Sequence, residues 1–590
     1  MTLPSARKAL AAGLGFTTLT AVLVAGAPSA GAAPERKPAG PPPVELQLLA
    51  LNDFHGQLEP PASTSSSSRL PGETGAFGGV EYLATQVRAL EAESKKQNTL
   101  TVAAGDLIGA TPLLSAAFHD EPAIEALNRI GLDYASVGNH EFDEGSHELL
   151  RIQHGGCHED GCADPDRPFE GADFQYLSAN AFSEEGGVDD TLLPPYAIHK
   201  VQGIDVGFIG MTLEGTPGIV TPSGVAGLDF ADEADTANRY AAELKAQGVE
   251  AIVVLMHEGG TQTGAGIGVD TCVGMGGPVT EIVPRMSDAI DVVVTGHTHQ
   301  AYNCTIDGRL VTSASSAGRL VTDIDLTLDR RTGDVLTAKA DNVPVSQGLP
   351  KDPVQTGLIA YYRELLGPIA SQIVGQATAT LSTARETLYT YPGPPAADGK
   401  PTTVTVLGES PLGNLIADAQ LAATDDDADL AFMNPGGVRA DIPAGEITYE
   451  EAFTTQPFGN YLTTVSLTGA QIQCVLEQQF VNGTVLQPAG ITYAVDPKGT
   501  TGTAKDPCQG TRVPDDSVRI GDAPVDPAAS YRVTVNNFLA DGGDRFSLFA
   551  TGTNRTDVVS PEDDLAALIE YLDPEVPTSP PATDRISVRQ

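Results

Sequence analysis

Positive charge is scarce in this 590-residue chain: 34 Lys+Arg stand against 77 Asp+Glu, a formal charge of −43 at pH 7. A groove for DNA or RNA needs a basic face to displace counterions, so polymeric nucleic acid is not expected as a substrate. Beyond the first thirty-odd residues no apolar run reaches the ~18 positions of a membrane span. The C-terminus, Asp584-Arg585-Ile586-Ser587-Val588-Arg589-Gln590, carries neither a hydrophobic tail nor a wall-sorting pattern. No integral membrane segment is therefore expected in the mature chain. Cysteines number only six, and no Cys-x-x-Cys zinc pattern occurs.

The N-terminus supplies a compartment. Arg7 and Lys8 precede an apolar run from Ala9 to Ala25, followed by the small residues Ala30-Gly31-Ala32-Ala33. This is the pattern of a secretory signal peptide over residues 1–33, so a secreted protein of the extracellular space or cell envelope is expected. In an exported chain six cysteines point to disulfides rather than thiol chemistry. Proximity pairs Cys157 with Cys162, Cys272 with Cys304 and Cys474 with Cys508, although other connectivities stay open at this stage.

A chain of this length exceeds one hydrophobic core, so two large domains are expected. The first half repeats one theme: a short apolar or β-branched run, a polar loop, then helical spacing. The runs are Glu45–Leu51, Thr99–Ala103, Tyr134–Val137, Val206–Ile209, Ala251–Met256 and Asp291–Val294. Val80, Leu83, Val87 and Leu90, and again Ile124, Leu127 and Ile130, recur at helical intervals. This is the grammar of an α/β layered fold. Ser63–Ser68 reads as a low-complexity insertion. Leu358, Tyr361, Leu365, Ile369 and Ile373 predict a linker helix over 350–377. Strands then resume, for example Ala428–Met433, Tyr461–Leu467 and Tyr531–Asn536, in a second α/β domain over 378–560, with 561–590 as a tail.

Chemistry concentrates in five loops at the ends of these strands: Asn52-Asp53-Phe54-His55-Gly56, Gly105-Asp106, Gly138-Asn139-His140-Glu141, His257-Glu258 and Gly296-His297-Thr298-His299. Strand ends of open α/β sheets converge on one crevice. The loops offer carboxylate, imidazole and amide oxygen but no thiolate, a donor set suited to Zn, Mn or Fe. Singly, an Asp after Gly is usually a turn or cap residue and a lone His packs or faces solvent. Together they carry a metal reading, because five of the ten histidines fall at apolar strand ends beside Gly or an acid. Strand alternation would send Asp53 and His55 to one side, and His297 and His299 likewise. His119, His147, His154, His158 and His199 fit no motif.

In this order the motifs resemble the calcineurin-like metallophosphoesterases over residues 45–345, and the Asn-Asp-Phe-His-Gly and Gly-Asn-His-Glu-Phe-Asp segments are similar to the 5′-nucleotidase branch. The resemblance implies a four-layer sandwich, two mixed sheets flanked by helices, followed by an α/β substrate-binding domain. It assigns Asp53, His55, Asp106 and His299 to one divalent ion and Asp106, Asn139, His257 and His297 to a second, with Asp106 between them. Two such ions would clamp phosphoryl oxygens and acidify a bridging water for attack on phosphorus. His140, oriented by Asp143, is expected to support the transition state or protonate the leaving oxygen; as an alternative, Asp143 caps a helix.

The second domain resembles the C-terminal domain of 5′-nucleotidases at Glu409–Asn414, Asn434–Arg439, Gln456–Asn460 and Asn537–Asp544. That implies a nucleotide substrate whose base stacks between Phe458 and Phe538, with Asn434, Arg439, Asn460 and Asp544 as polar contacts. The family's arginines before the first Gly-Asn are missing between Thr402 and Glu409, which leaves Arg385 as the nearest replacement. The expected activity is phosphate removal from nucleotides, with UDP-sugar, nucleoside-diphosphate or 2′,3′-cyclic-nucleotide hydrolysis as neighbouring chemistries. A general metallophosphodiesterase and a non-catalytic nucleotide-binding protein are the competing classes.

Overall fold

The computed structural model describes residues 41–61, 70–94, 98–221, 223–393, 402–424, 427–503, 505–557 and 563–589. The expected signal peptide and the Ser63–Ser68 insertion lie outside them.

Two six-stranded mixed sheets form the first half. In one, the strands run in the order Val335–Pro344, Leu320–Leu328, Val44–Leu51, Thr99–Ala104, Leu132–Ser136, Gln175–Leu177. In the other they run Ala301–Ile306, Arg309–Ala314, Val292–Thr295, Ala251–His257, Ile204–Thr212, Tyr196–Val201. The central strands are apolar at nearly every position because both of their faces are covered. Leu46, Leu48 and Ala50 enter the layer between the sheets, where they meet Val253 and Leu255 of the opposite sheet. Leu49 and Leu51 point the other way, onto the helices Val80–Glu93, Glu121–Ile130 and Pro353–Ala370. Ile252, Val254 and Met256 likewise face the helix Glu233–Ala246. Helix, sheet, sheet and helix make four layers, as the family resemblance implied.

Parallel pairing places the functional loops. Val44–Leu51, Thr99–Ala104 and Leu132–Ser136 run parallel with Leu51 beside Ala103 and Ala104 beside Ser136. Ala251–His257 and Val292–Thr295 run parallel with Met256 beside Thr295. All five motif loops therefore leave the sheets at the carboxyl ends of parallel strands.

The linker departs from the expected helix over 350–377. Its helix ends at Ala370, and Ile373–Ala377 is a strand paired with Gly445–Thr448. Pro368 in the last turn withholds a backbone N–H, and β-branched Ile373 and Val374 follow. The buried face is Leu358, Tyr362, Leu366 and Ala370, one residue out of phase with the predicted stripe, so that Ile369 is 51% exposed.

The second half holds a five-stranded sheet, Gln487–Ala489, Leu430–Met433, Ser530–Asn536, Leu462–Thr468, Thr553–Asp557. Leu430–Met433 and Ser530–Asn536 run parallel, while Leu462 lies opposite Asn536 in the antiparallel neighbour. The segment expected as a tail is folded. Asp564–Tyr571 is a helix against Pro411–Ala422, with Leu565, Leu568 and Leu572 in the core, and Ile586–Val588 pairs with Ile491–Val495. All three proximity disulfides are present: Cys157–Cys162, Cys272–Cys304 and Cys474–Cys508.

Asp352 starts the linker helix. Its carboxylate accepts from Val354 and Gln355 N–H at 2.9 and 3.0 Å and also pairs with Arg88. Asp352→Ala removes cap and ion pair together and should cost about 1–2 kcal/mol, read as a lower urea midpoint; an unchanged midpoint would show that the cap is not stabilising.

Candidate metal centre and substrate cleft

The strands Val44–Leu51 and Val292–Thr295 end two residues before Asp53 and His297 and four before His55 and His299, so the alternation argument fails for Asp53/His55 and His297/His299. These residues lie in turns instead. Asp53, His55, Asp106, His297 and His299 all have left-handed backbone, with φ from 47° to 67°. A residue bearing a β-carbon pays of order 1–3 kcal/mol there unless its surroundings dictate it. Here Asp53 N–H donates to Gly105 O, His55 N–H to Asp106 O and His297 N–H to both Asp53 carboxylate oxygens, each at 3.0 Å. The close approach of the loops needs glycine. A β-carbon on Gly138 would stand 2.2 Å from Asp106 Oδ1, and one on Gly105 2.6 Å from His257 Nδ1.

The side chains converge on two foci. Around the first are Asp53, His55, His299 and Asp106. His55 Nε2 lies 3.0 Å from His299 Nε2, 3.9 Å from Asp53 Oδ1 and 3.7 Å from Asp106 Oδ2, and His299 Nε2 lies 3.3 Å from Asp53 Oδ1. Around the second are Asp106, Asn139, His257 and His297. His257 Nε2 is 3.0 Å from Asp106 Oδ2 and 3.2 Å from Asn139 Oδ1, which is 3.0 Å from His297 Nδ1. Asp106 Oδ2 is common to both.

This donor set fits divalent ions. His55 Nδ1 bonds Gly109 O and His257 Nδ1 bonds Ala104 O, so in their neutral forms each turns a bare Nε2 toward its focus. Acceptors that face one another at ~3 Å repel unless positive charge stands between them. Burial, reinforced by the neighbouring imidazoles, pushes His55 down to about 3 despite Asp106. Burial and His257 push His297 down to about 4. His257 moves oppositely: burial opposes its charge, but Asp106 outweighs it and lifts the ring to about 10. Burial also opposes the charges of Asp53 and Asp106, yet the surrounding histidines hold both carboxyls low, Asp106 well below the usual range. Both foci thus gather carboxylate and imidazole ligand atoms close enough for one ion to take them.

Beside them His140 Nδ1 contacts Asp143 Oδ2 at 2.6 Å. Burial disfavours a charged His140, but Asp143 and Asp106 raise it to about 9, leaving Nε2–H as its second donor. Asp143 thus orients His140; it does not cap a helix by its side chain, since that turn is the short 3-10 segment His140–Phe142 and Asp143 stands at its end.

His140 and Asp143 share a cavity of about 270 Å³ with Asn139 and His297 on one wall and Asn434, Phe458, Asn460, Phe538 and Asp544 on the other. The Phe458 and His140 rings are nearly parallel, at 21° and 6.4 Å. Asn536 Nδ2–H donates to Asn434 Oδ1 at 3.0 Å, and Asn434 Nδ2–H to Asp544 Oδ2 at 3.1 Å, a relay that fixes these amides. Arg439 does not line the cavity; it stands over Phe458, 5.8 Å from the ring centroid, and donates to Gly436 O. Arg385 is no phosphate ligand either, since its guanidinium is spent on the Leu407, Gly408 and Val485 carbonyls.

Three features escaped sequence reasoning. Ile219, Val220 and Thr221 line the cavity from a loop without any motif, and Asn536 lies one residue before a recognised segment. Glu141 was visible in its motif but had no role. It is 2% exposed and accepts from Gly138, Asp106 and Leu107 N–H at 2.6, 3.0 and 2.8 Å, tying two of the loops together.

Comparison with known proteins adds identity of type. Residues 46–301 match the family model for calcineurin-like phosphoesterases and residues 393–551 that for the 5′-nucleotidase C-terminal domain. Endonuclease YhcR of Bacillus subtilis is 33% identical over 534 residues, which is 90% of this chain but 40% of that protein, so this chain spans less than half of that relative. Cell wall protein Lmo0130 of Listeria monocytogenes is 30% identical over 556 residues, 90% of this chain and 67% of the relative. The crystal structure of a 5′-nucleotidase precursor from Thermus thermophilus superposes with a TM-score of 0.68 at 28% identity, covering 92% of this chain and 99% of that one.

Glu141→Gln turns one acceptor into a donor facing backbone N–H groups. Outer-shell changes of this kind weaken metal sites roughly 10–100-fold, and calorimetric titration with Mn²⁺ should show a loss of that size. Unaltered affinity would mean that the loops hold their shape without the carboxylate.

Proposed function

Because this chain belongs to the 5′-nucleotidase family, with its calcineurin-like phosphoesterase and 5′-nucleotidase C-terminal domains, we propose that it is a secreted metal-dependent hydrolase that removes phosphate from nucleotides. The observation that carries this reading is the single cavity that joins the His140 wall to the Phe458/Phe538 wall. Asp53, His55, Asp106 and His299 hold one divalent ion, and Asp106, Asn139, His257 and His297 a second, with Zn, Mn or Fe suited to the ligands. When bound, such ions supply Lewis-acid polarisation of phosphoryl oxygens and acidify water.

The chain's own side chains do the rest. Phe458 and Phe538 offer flat faces to a base, which predicts broad base tolerance. Asn434, Asn460 and Asp544 receive sugar or base polar atoms, and Arg439 backs Phe458 from outside the cavity. His140, held protonated by Asp143, donates from Nε2 to the departing ester oxygen. The N-terminal signal pattern and three disulfides support an extracellular or cell-envelope location.

A second reading, polynucleotide cleavage, is raised by the printed name of the YhcR relative. The charge of −43 opposes it. Both are tested by product release from AMP, ADP, UDP-glucose, 2′,3′-cyclic AMP, an aryl phosphate and single-stranded DNA, before and after chelation and Mn²⁺ or Zn²⁺ addition. Metal-dependent release favouring nucleotides is expected; faster cleavage of DNA would replace the first reading with the second.

Asp106→Ala should reduce turnover of every substrate to background, because both foci lose their common carboxylate. Phe458→Ala should raise KM for nucleotides roughly tenfold or more, since stacking is worth about 1–3 kcal/mol per base, and spare the aryl phosphate. Equal losses on both substrates would remove Phe458 from the base site.

A further inference from the structure

Away from the cleft, two of the histidines without a motif meet a carboxylate. His119 Nδ1 lies 3.2 Å from Glu144 Oε2, and His158 Nε2 lies 3.5 Å from the same oxygen. One donor atom from each of the three residues falls within 4.8 Å of the others. We propose that His119, Glu144 and His158 form an additional divalent transition-metal site, separate from the two foci of the cleft and taking an ion of the zinc, nickel or copper type.

Several observations converge on this site. Ligand atoms in a tetrahedral shell with zinc bond lengths stand roughly 3.3 Å apart, and the two His–Glu distances, 3.2 and 3.5 Å, fall on either side of that value. Two imidazoles with one carboxylate select a borderline transition ion over Ca²⁺ or Mg²⁺. The elements are anchored independently of any ion. His158 sits inside the five-residue span closed by Cys157–Cys162, with a bridge from His158 to Gly161. His119 has φ 48°, and Arg151, itself paired with Glu121 and Glu148, reaches its carbonyl at 3.5 Å. Glu144 directly follows Asp143 of the cleft.

Both rings lean on one carboxylate oxygen and stack face to face, 3.5 Å between centroids at 16°. Protonating both would set two like charges one ring thickness apart. One divalent ion replaces that repulsion with three attractive contacts. The stack places a shared ion out of both ring planes, so one ring must turn about χ2, a soft torsion for imidazole. His119, with 29% of its side chain exposed against 12% for His158, has the room. Arg151 does not oppose the ion, because Glu121 and Glu148 already neutralise it. Behind the ligand nitrogen, His158 Nδ1 meets both the Asp160 backbone N–H at 3.2 Å and the Asp160 carboxylate at 3.5 Å, and an ion on Nε2 requires the carboxylate to be the partner.

The proposal does not depend on the catalytic reading. The test is the zinc content of the full mature chain, measured by plasma mass spectrometry after chelator stripping, equilibration with Zn²⁺ and gel filtration. The parent should carry one equivalent more than His119→Ala/His158→Ala, with Glu144→Gln weakening the same equivalent at least tenfold in a competition titration. An Asp106→Ala chain should keep this equivalent whatever it loses elsewhere. Should the double variant fold poorly by circular dichroism, Glu144→Gln, a change at a half-exposed side chain, decides alone. Equal zinc in the parent and in a folded variant overturns the site and leaves a hydrogen-bonded imidazole pair.

Discussion

The architecture around the cleft turns on burying negative charge. Asp53, Asp106 and Glu141 are 0%, 1% and 2% exposed, and an uncompensated carboxylate in such surroundings costs several kcal/mol. Compensation comes from oriented backbone N–H groups and imidazoles. His140 N–H serves Asp106, His297 N–H serves Asp53, and three N–H groups from two loops serve Glu141. To aim those donors the loops turn through left-handed conformations and press together at Gly105 and Gly138. The four-layer fold makes this affordable, because parallel strands in both sheets deliver all five loops to one edge.

How much of this was legible in the sequence follows from the range of each interaction. Apolar runs, polar strand ends and the clustering of five histidines are local patterns, and they located the strands and the residues that meet at the foci, whereas the Phe458/Phe538 wall followed only from the resemblance to 5′-nucleotidases. The three disulfide pairs also followed neighbours in sequence. What escaped was decided by tertiary contact. Strand alternation seemed to explain Asp53 and His55, but left-handed turns bring them together, and nothing in a residue's identity announces such a turn when it is not glycine. The linker helix is cut short by Pro368 and by the partner strand Gly445–Thr448, which lies about seventy residues on. Residues 561–590 looked like a tail because their short periodicity, Leu565, Leu568 and Leu572, gains meaning only against the helix Pro411–Ala422.

The second domain repeats the logic of the first with softer chemistry. Asn434 and Asn536 stand at the ends of adjacent parallel strands, and Asn460 just precedes the strand that pairs with the second of them. Three loops are again gathered by register alone. Here amides take the places held by carboxylates and imidazoles in the first domain: Asn536 donates to Asn434, Asn434 to Asp544, and Asn460 to the buried Asp564. A wall of this kind can present fixed donors and acceptors to a neutral sugar and base while remaining indifferent to divalent ions.

That difference gives the cleft a direction. The cavity lining contains no Lys or Arg among the described residues, and its acids, Asp143 and Asp544, sit on opposite walls. Over a chain of charge −43, with fields screened beyond about 8–10 Å, an anion finds attraction only where positive charge is local. His140, raised to about 9, and the two cation-seeking foci all lie on the first-domain wall. The proposed orientation of a nucleotide, phosphate toward His140 and base toward Phe458 and Phe538, is therefore imposed by electrostatics as well as by shape. Among the described residues no arginine reaches that wall: Arg385 donates to the Leu407, Gly408 and Val485 carbonyls, and Arg439 stands outside the cavity.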